Sequence, residues 1–361
     1  MTRGFSVHME KRENVSWWLR VLIPILSVLL AMVICGVIIA FQQFNPIKVY
    51  SKLFTGAFGS KLSIGESVLQ AIPLIFCALG VSVAFRMSLS NIGAEGQYAM
   101  GAFAATGVAL FMPGIPAGLS LPVMILASFL LGGIWAVIAA LPKVIWNVSE
   151  TLVTLMFNYV ALLFVNYWCY GPWRGEATNM PYTAMIPKTS YFTAFPGTRL
   201  HTGLILAFLA AVAVFFFYRS TTFGYQMEVI GKNARAAAYA GISVKRNILL
   251  AMFLSGGLAG LAGVAQVAGV THRLVPDITG GAGYTAIVIA YMAHLNPFVA
   301  VLVSVLFGGL NQGGISMQIM GISSKVVTMI QGMILLFVLG GEIFVGHRVV
   351  ITRGKKQEGK K

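Results

Sequence analysis

The sequence predicts an all-α, polytopic integral membrane protein with about ten transmembrane helices. Three observations carry this. Hydrophobic side chains make up 58% of the 361 residues and charged ones only 10%, against roughly 25% in a soluble domain. Mean hydropathy is +0.83. Apolar runs recur along the whole chain with short polar breaks between them, and one span needs about 20 such residues. A globule of this size in water needs a charged skin that this composition cannot supply. A soluble enzyme, a disordered chain and a nucleic-acid binder are thereby excluded. The net charge of +15 does not reverse this, because in a membrane protein an excess of Lys and Arg first sets orientation.

The first span covers residues 19–41, with Trp17 and Trp18 as interfacial anchors and Arg20 at its mouth. Residues 45–63 are weakly amphipathic and carry Lys48, Lys52 and Lys61, which predicts a helix lying on the surface. The second span, 66–85, stops at Arg86, and the third, 91–112, is rich in Gly and Ala. The fourth, 119–141, is bounded by Pro142 and Lys143; the fifth covers 150–170. Residues 171–199 hold Pro172, Pro181, Pro187 and Pro196 and are too broken to span. The sixth span is 200–218, and the charged stretch 219–246 is not apolar enough to insert. The seventh is 248–270. After a break at 272–283 come 284–295, which is short, then 299–319 and 326–345. The organisation is thus a polar N-terminal segment 1–18, a continuous transmembrane domain 19–345 and a basic tail 346–361 expected to be disordered. The N-terminal segment is too polar, and the run after it too long, for a cleavable signal.

Ten spans with an inside N-terminus put both ends in the cytoplasm. The positive-inside rule supports this mainly through two segments. These are the N-terminal one, with Arg3, Lys11, Arg12 and Arg20, and the 219–246 loop, with Arg219, Lys232, Arg235, Lys245 and Arg246.

No nucleotide-binding P-loop, H-E-x-x-H or G-x-S-x-G string occurs. Cys35, Cys77 and Cys169 are far apart in apolar runs, and the five histidines have no ligand spacing, so neither a disulfide framework nor a metal site is indicated. Polar groups at membrane depth are more informative, since each is costly unless paired or wetted. The richest cluster runs from Ser88 to Tyr98 and holds Asn91, Glu95 and Gln97 among glycines. It is either a gate or pathway element or a structural knot in which Glu95 bonds backbone amides. Asn158 and Tyr159 put hydrogen-bonding groups inside the fifth span, as Gln266, Asn311, Gln312 and Gln331 do elsewhere. Each alone reads as interhelical glue; together they suit passage of a polar, uncharged solute. Gly256 and Gly260 lie one helical turn apart in a run of small residues, which predicts close helix packing.

The loop 219–246 divides into two short helical pieces, 224–230 and 234–240, around Gly231 and Asn233. Gly241 suits a helix C-terminus. The Ala-rich second piece suits insertion into a partner's groove. A faint internal echo links Gly93-Ala94-Glu95-Gly96-Gln97-Tyr98 with Gly281-Ala282-Gly283-Tyr284, each opening a Gly/Ala-rich span. It reads equally as two related halves or as chance.

Four stretches resemble the permease subunits of ABC importers of the branched-chain amino acid/simple sugar superfamily, most of all the nucleoside branch served by basic membrane lipoproteins. They are Phe85 to Gln97 with its Asn-Ile-Gly-Ala-Glu-Gly-Gln string, Glu150 to Tyr159, Gly231 to Ile242, and Gly283 to Pro297. The resemblance runs from about Leu69 to Leu339. It implies a type II ABC importer-like permease in the bacterial plasma (inner) membrane. In that reading a lipoprotein delivers solute outside, two non-identical permeases form the pathway, and a cytoplasmic ATPase drives alternating access. Gly231, Asn233, Ala236, Ala237, Ala240, Gly241 and Ile242 fall in the family's ATPase-coupling loop. Asn91, Glu95, Gln97, Asn158 and Tyr159 are the pathway or gate candidates. The chain itself is expected to be no enzyme and to bind no cofactor, with ATP and Mg on the partner. Tyr291-Met292-Ala293-His294 departs from the family's usual Leu-Leu-Gly-Arg. Simple sugar or amino acid permeases share the scaffold. An ion-driven transporter using Glu66, Glu95, Glu150 or Glu342, or a membrane-embedded enzyme built on Glu95, are the alternatives from other classes.

Overall fold

A computed structural model describes residues 5–11, 16–112, 114–175, 180–319 and 321–353. The chain divides into two units, residues 1–51 with 317–361 and residues 52–316, and each is taken by itself.

The larger unit is a bundle. Its helices are α3 (Lys61–Arg86), α4 (Ala94–Phe111), α5 (Ala117–Trp146), α6 (Glu150–Tyr170), α7 (Gly203–Ser220), α8 (Thr222–Lys232), α9 (Ala234–Tyr239), α10 (Val244–Gln266), α11 (Ala282–Met292) and α12 (Pro297–Gln318). α1 (Trp17–Phe41) and α13 (Ser324–Gly346) pack together in the other unit, and α2 (Pro46–Phe58) straddles the division. Among the described residues, seven helices are long and apolar enough to cross a membrane: α1, α3, α5, α6, α7, α10 and α12. Shorter apolar stretches lie in α11 and at Thr328–Val338 of α13. α4 is missing from the seven because it opens with Glu95 and Gln97. It is sheathed by α5, α6 and α10, so its polar start never meets lipid.

The elements follow the sequence closely at α6, which begins and ends where expected. Two others differ. α5 runs past Pro142 to Trp146 and stops at Asn147, whose φ is 57°. A proline in a helix removes one amide, and its fixed φ is itself helical; Pro24, Pro73 and Pro122 are likewise inside helices. The tail was expected to be disordered, but His347–Arg353 forms a strand antiparallel to Phe5–Lys11. Val349, Val350 and Ile351 supply the β-branched run that favours this. The rest of the predicted tail, and residues 1–4 and 12–15 of the N-terminal segment, lie outside the described residues. So do the side chains of Trp17, Arg20 and Glu342.

α10 is the axis of the bundle and packs on α3, α4, α5 and α8. The small residues make this possible. A Cβ on Gly260 would run into the Ser128 carbonyl of α5, one on Gly256 into the Gly132 carbonyl, and one on Gly263 into the backbone of α4 at Gly101 and Ala102. Ser128 also donates to the Gly101 carbonyl at 2.9 Å. Without a hydrophobic drive between helices in lipid, such close approach supplies the packing energy. Gly260→Val is therefore expected to cost at least ~1–3 kcal/mol, the usual range for overpacking, since backbone rather than a movable side chain is in the way. Thermal unfolding in detergent checks this. Gly65→Ala, where nothing stands within 4 Å of the new methyl, should leave the midpoint unchanged.

Candidate functional site

Two helices of the bundle begin within it rather than at its ends. α3 stops at Arg86, and residues 87–93 run irregularly, with Ser88 at φ 56°, before α4 starts. α10 ends in a widened turn at Val267–Thr271. Residues 272–281 are then non-helical, with positive φ at His272, Asp277, Gly280 and Gly281. α11 has 11 residues, about 16 Å of helix and roughly half the bilayer core. Its far end reaches the end of α3, where the Tyr291 and Phe85 rings lie 5.0 Å apart. Its start is therefore deep, and it abuts the start of α4: a Cβ on Gly283 would strike the Glu95 backbone.

Glu95 joins the two starts. Its carboxylate accepts from the Gly281 amide at 2.9 Å and the Gly283 amide at 2.6 Å, with the Thr279 hydroxyl and Tyr284 amide also donating. It is 2% exposed. A carboxylate sits well at a helix N-terminus, where unpaired amides and the helix dipole meet it, and Glu95 serves α11 while lying in the first turn of α4. The two strings that echo in the sequence are thus neighbours in space.

A knot of amides surrounds this contact. Asn91 and Gln97 exchange two hydrogen bonds of 3.1 Å. Asn91 also donates to Ser255 Oγ of α10 at 2.8 Å and accepts from the Gly93 amide at 2.9 Å. Asn158 of α6 accepts from the Gly96 amide and donates to the Ile92 carbonyl, both at 2.8 Å, and donates to the Tyr284 hydroxyl at 3.3 Å. Thr154 accepts from the Ile92 amide at 3.2 Å. Asn91, Glu95, Gln97 and Asn158 therefore come together, buried and bonded to protein. Tyr159 does not join them: it is 55% exposed on the outer face of α6. Ser255, Thr154 and Thr279 complete the knot and had no signal of their own in the sequence. The signal that could have led to the contact is the run Gly280-Gly281-Ala282-Gly283, since glycines permit close backbone approach. Of the other carboxylates named from sequence, Glu66 pairs with Arg199 at 3.3 Å and Glu150 with Lys143 at 3.3 Å, both at helix ends. Among the described residues no group of three or more His, Cys, Asp or Glu could hold a metal.

The 219–246 loop folds as α8 and α9. Asn233 caps α9 by accepting from the Arg235 and Ala236 amides at 3.0 Å, and Gly241, at φ 81°, ends the turn after it. Lys232 and Arg86 both pair with Glu228, at 2.8 and 3.2 Å, and hold its carboxyl below the usual carboxylate range. Gly231 lies against the Arg86 carbonyl, and its own carbonyl accepts from Ser88 at 3.0 Å. α8 is thereby fastened to the segment that leads into the Asn91–Glu95 knot. Of the coupling-loop candidates, Ala237 is fully buried against its own chain. A helix this short with an inward face must bury one residue in three or four. Ala236 and Ala240 are exposed, Ile242 is half-buried, and Tyr239, not among the candidates, is 94% exposed.

The profile of the branched-chain amino acid transport system / permease component family matches residues 63–339. The chain belongs to this permease family. The permease is 31% identical to the glucose ABC transporter permease protein TsgB13 of Haloferax volcanii, over 96% of its own length and 94% of that protein. It is 33% identical to the guanosine ABC transporter permease protein NupP of Bacillus subtilis, over 88% and 92%. With the nucleoside ABC transporter permease protein NupB of Lactococcus lactis subsp. cremoris it shares 29%, over 88% and 90%. The permease is thus a multi-pass membrane subunit of an ABC transporter.

Proposed function

We infer that this permease serves an ATP-driven importer of nucleosides in a bacterial plasma membrane. It forms the pathway with a second, non-identical permease and takes solute from an extracytoplasmic lipoprotein. A cytoplasmic ATPase, which holds the ATP and Mg, acts on it at α8 and α9. The observation that carries the reading is the fastening of α8 to Arg86 and Ser88, because a push on the loop is then delivered to the half-helix starts at Glu95. Tyr159 faces outward, where a partner permease would complete the path. The nucleoside assignment draws on NupP and NupB, which align over nearly their whole lengths. TsgB13 aligns as fully, so glucose is the second reading.

Uptake of labelled guanosine and of labelled glucose, by cells with and without this gene, separates the two. Loss of guanosine uptake alone is expected; loss of glucose uptake alone would refute the nucleoside assignment. The Lys and Arg of both termini and of the 219–246 loop support a cytoplasmic side for all three. Arg86, Lys143, Glu150 and the loop also lie at one end of the bundle, tied by the Glu228, Lys143–Glu150 and Ser90–Glu150 contacts. A cysteine at Asn233 should stay unlabelled by an impermeant thiol reagent in intact cells and label after lysis. Labelling in intact cells would invert the topology.

A further inference from the structure

The widened turn that ends α10 and the break after it leave backbone groups that a plain helix would pair internally. Residues 182–201, between α6 and α7 at the end of the bundle away from Arg86 and Glu150, pair them. The Thr183 amide donates to the Leu274 carbonyl at 3.2 Å, and the Leu274 amide to the Thr183 hydroxyl at 3.0 Å. The Ile186 amide donates to the His272 carbonyl at 2.9 Å and the Phe192 amide to the Ala268 carbonyl at 3.1 Å. The same segment is moored elsewhere. The Ser190 hydroxyl lies 2.7 Å from that of Ser120 on α5, and Arg199 pairs with Glu66 of α3. It is a strap laid over the turn and the break.

His201 pins it. The side chain is 1% exposed, stacks on Phe192, and fills the space beside Gly269 of the widened turn, where a Cβ would overlap its Nε2. Nδ1 accepts from the Gly203 amide at 3.1 Å, so the neutral ring carries its proton on Nε2. Among the described residues Nε2 is buried with no partner. A second proton must go on Nδ1, where it faces the Gly203 N–H, and the resulting charge meets no acceptor at either nitrogen. The groups around it do not help. His272 stacks on Tyr191 at 3.8 Å, and its own Nδ1 is buried and unpartnered. Glu66 is engaged by Arg199, Arg273 lies over the Tyr182 ring, and Lys188 and Asp277 are exposed. Burial first, and then His272, push the His201 imidazole down from its ordinary 6.5 to about 4.

We propose that residues 182–201 are an acid-released strap, and that His201 is the positioning residue through which it holds the break after α10, and so the start of α11, against Glu95. The break begins at His272, under the strap, and ends at Gly281 and Gly283, whose amides donate to Glu95. Protonation expels the His201 ring, frees residues 268–274 and slackens the Glu95 contact from behind. The sign follows from the depressed imidazole. The closed strap binds fewer protons than the open one, so closure is fully favoured above about pH 6.5 and weakens as pH falls toward about 4. Which face supplies the acid rests on the topology proposed above, where this end is outside; the opening of the strap does not.

Amide hydrogen exchange on the full-length chain in lipid nanodiscs, at pH 7.5 and pH 5 and corrected for the intrinsic effect of pH on exchange, tests this without a solute or an ATPase. With an ordinary imidazole in the open form, opening at pH 5 should rise about 30-fold over pH 7.5. Peptides covering 186–192 should lose protection by about that factor. Those covering 281–283 should follow, while the middle of α5 stays unchanged. His201→Asn keeps an acceptor for the Gly203 amide, and His201→Phe keeps a ring against Phe192; neither titrates. Both may shift protection at pH 7.5, but in both the change between the two pH values should shrink to less than twofold. His272→Gln should retain most of the wild-type response. A wild-type strap equally protected at both pH values, or a response that survives in the His201 variants, would overturn the proposal: the first leaves the strap insensitive to acid, the second gives the proton to another group. Loss of protection at 186–192 with none at 281–283 would refute the hold on Glu95. Failure of the nucleoside reading leaves every one of these measurements standing.

Discussion

Glu95→Ala should leave the chain in the membrane but abolish transport and lower the thermal stability of the purified protein by several kcal/mol. Insertion precedes helix packing in membranes, and the change makes the third predicted span more apolar, so insertion is not at risk. What fails is the meeting of α4 and α11. The amides of Gly281 and Gly283 lose a charged acceptor at 2.9 and 2.6 Å. A buried donor left unsatisfied costs about 1–3 kcal/mol, and more where the lost partner was charged. Glu95→Gln keeps one carbonyl oxygen but turns an NH2 toward an amide, so an intermediate loss is expected. Melting in detergent, accumulation in membranes and uptake are the three measurements. A Glu95→Ala protein that melts like the wild type yet does not transport would make Glu95 a group of the pathway rather than a strut between half-helices.

That choice could not be made from sequence, and the reason is physical. The polar string 88–98 announces irregular backbone within a membrane domain, because two glycines and an asparagine among polar residues do not favour continuing α3 as a plain helix. It does not say who satisfies the carboxylate. The partner amides lie 186 and 188 residues away, and nothing local encodes that pairing. The spans were legible because hydropathy is a one-dimensional signal. The Gly256/Gly260 packing was legible because only small residues let two backbones approach. α4 was legible as a helix but not as one shielded from lipid, which depends on the wrapping by α5, α6 and α10. The end of α5 was misplaced because Pro142 looks like a stop and the helix tolerates it. The pairing of Phe5–Lys11 with His347–Arg353 joins the two ends of the chain, and a reading of the basic tail alone gives no sign of it. On α9 the sequence located the element but not its inward side, since six residues rich in Ala have no apolar stripe from which to infer it.

The same short helix offers the sharpest test of coupling. Ala236→Glu is expected to abolish ATP-driven uptake and ATPase co-purification while the permease accumulates and melts normally. Ala236 is exposed, so in the permease alone a Glu there is solvated and should change stability by no more than about 0.5 kcal/mol. Seated against an ATPase, the same carboxylate is excluded from water without a designed partner, at a cost of several kcal/mol. About 3 kcal/mol is already more than a hundredfold in association. Tyr239→Ala should act in the same direction by removing the most exposed aromatic of the loop, the kind of side chain that anchors interfaces. Ala237→Glu must behave differently. Its side chain points into its own chain, so the charge is buried in the permease itself, and folding of the loop fails before docking is tested. The three variants, compared in the same membranes for permease level, ATPase recovery and uptake, therefore separate packing from docking. If Ala236→Glu and Tyr239→Ala both retain the ATPase and transport normally, α9 is a solvated connector, and the lever that Arg86, Ser88 and Glu228 fasten to the half-helix starts must be moved from somewhere else.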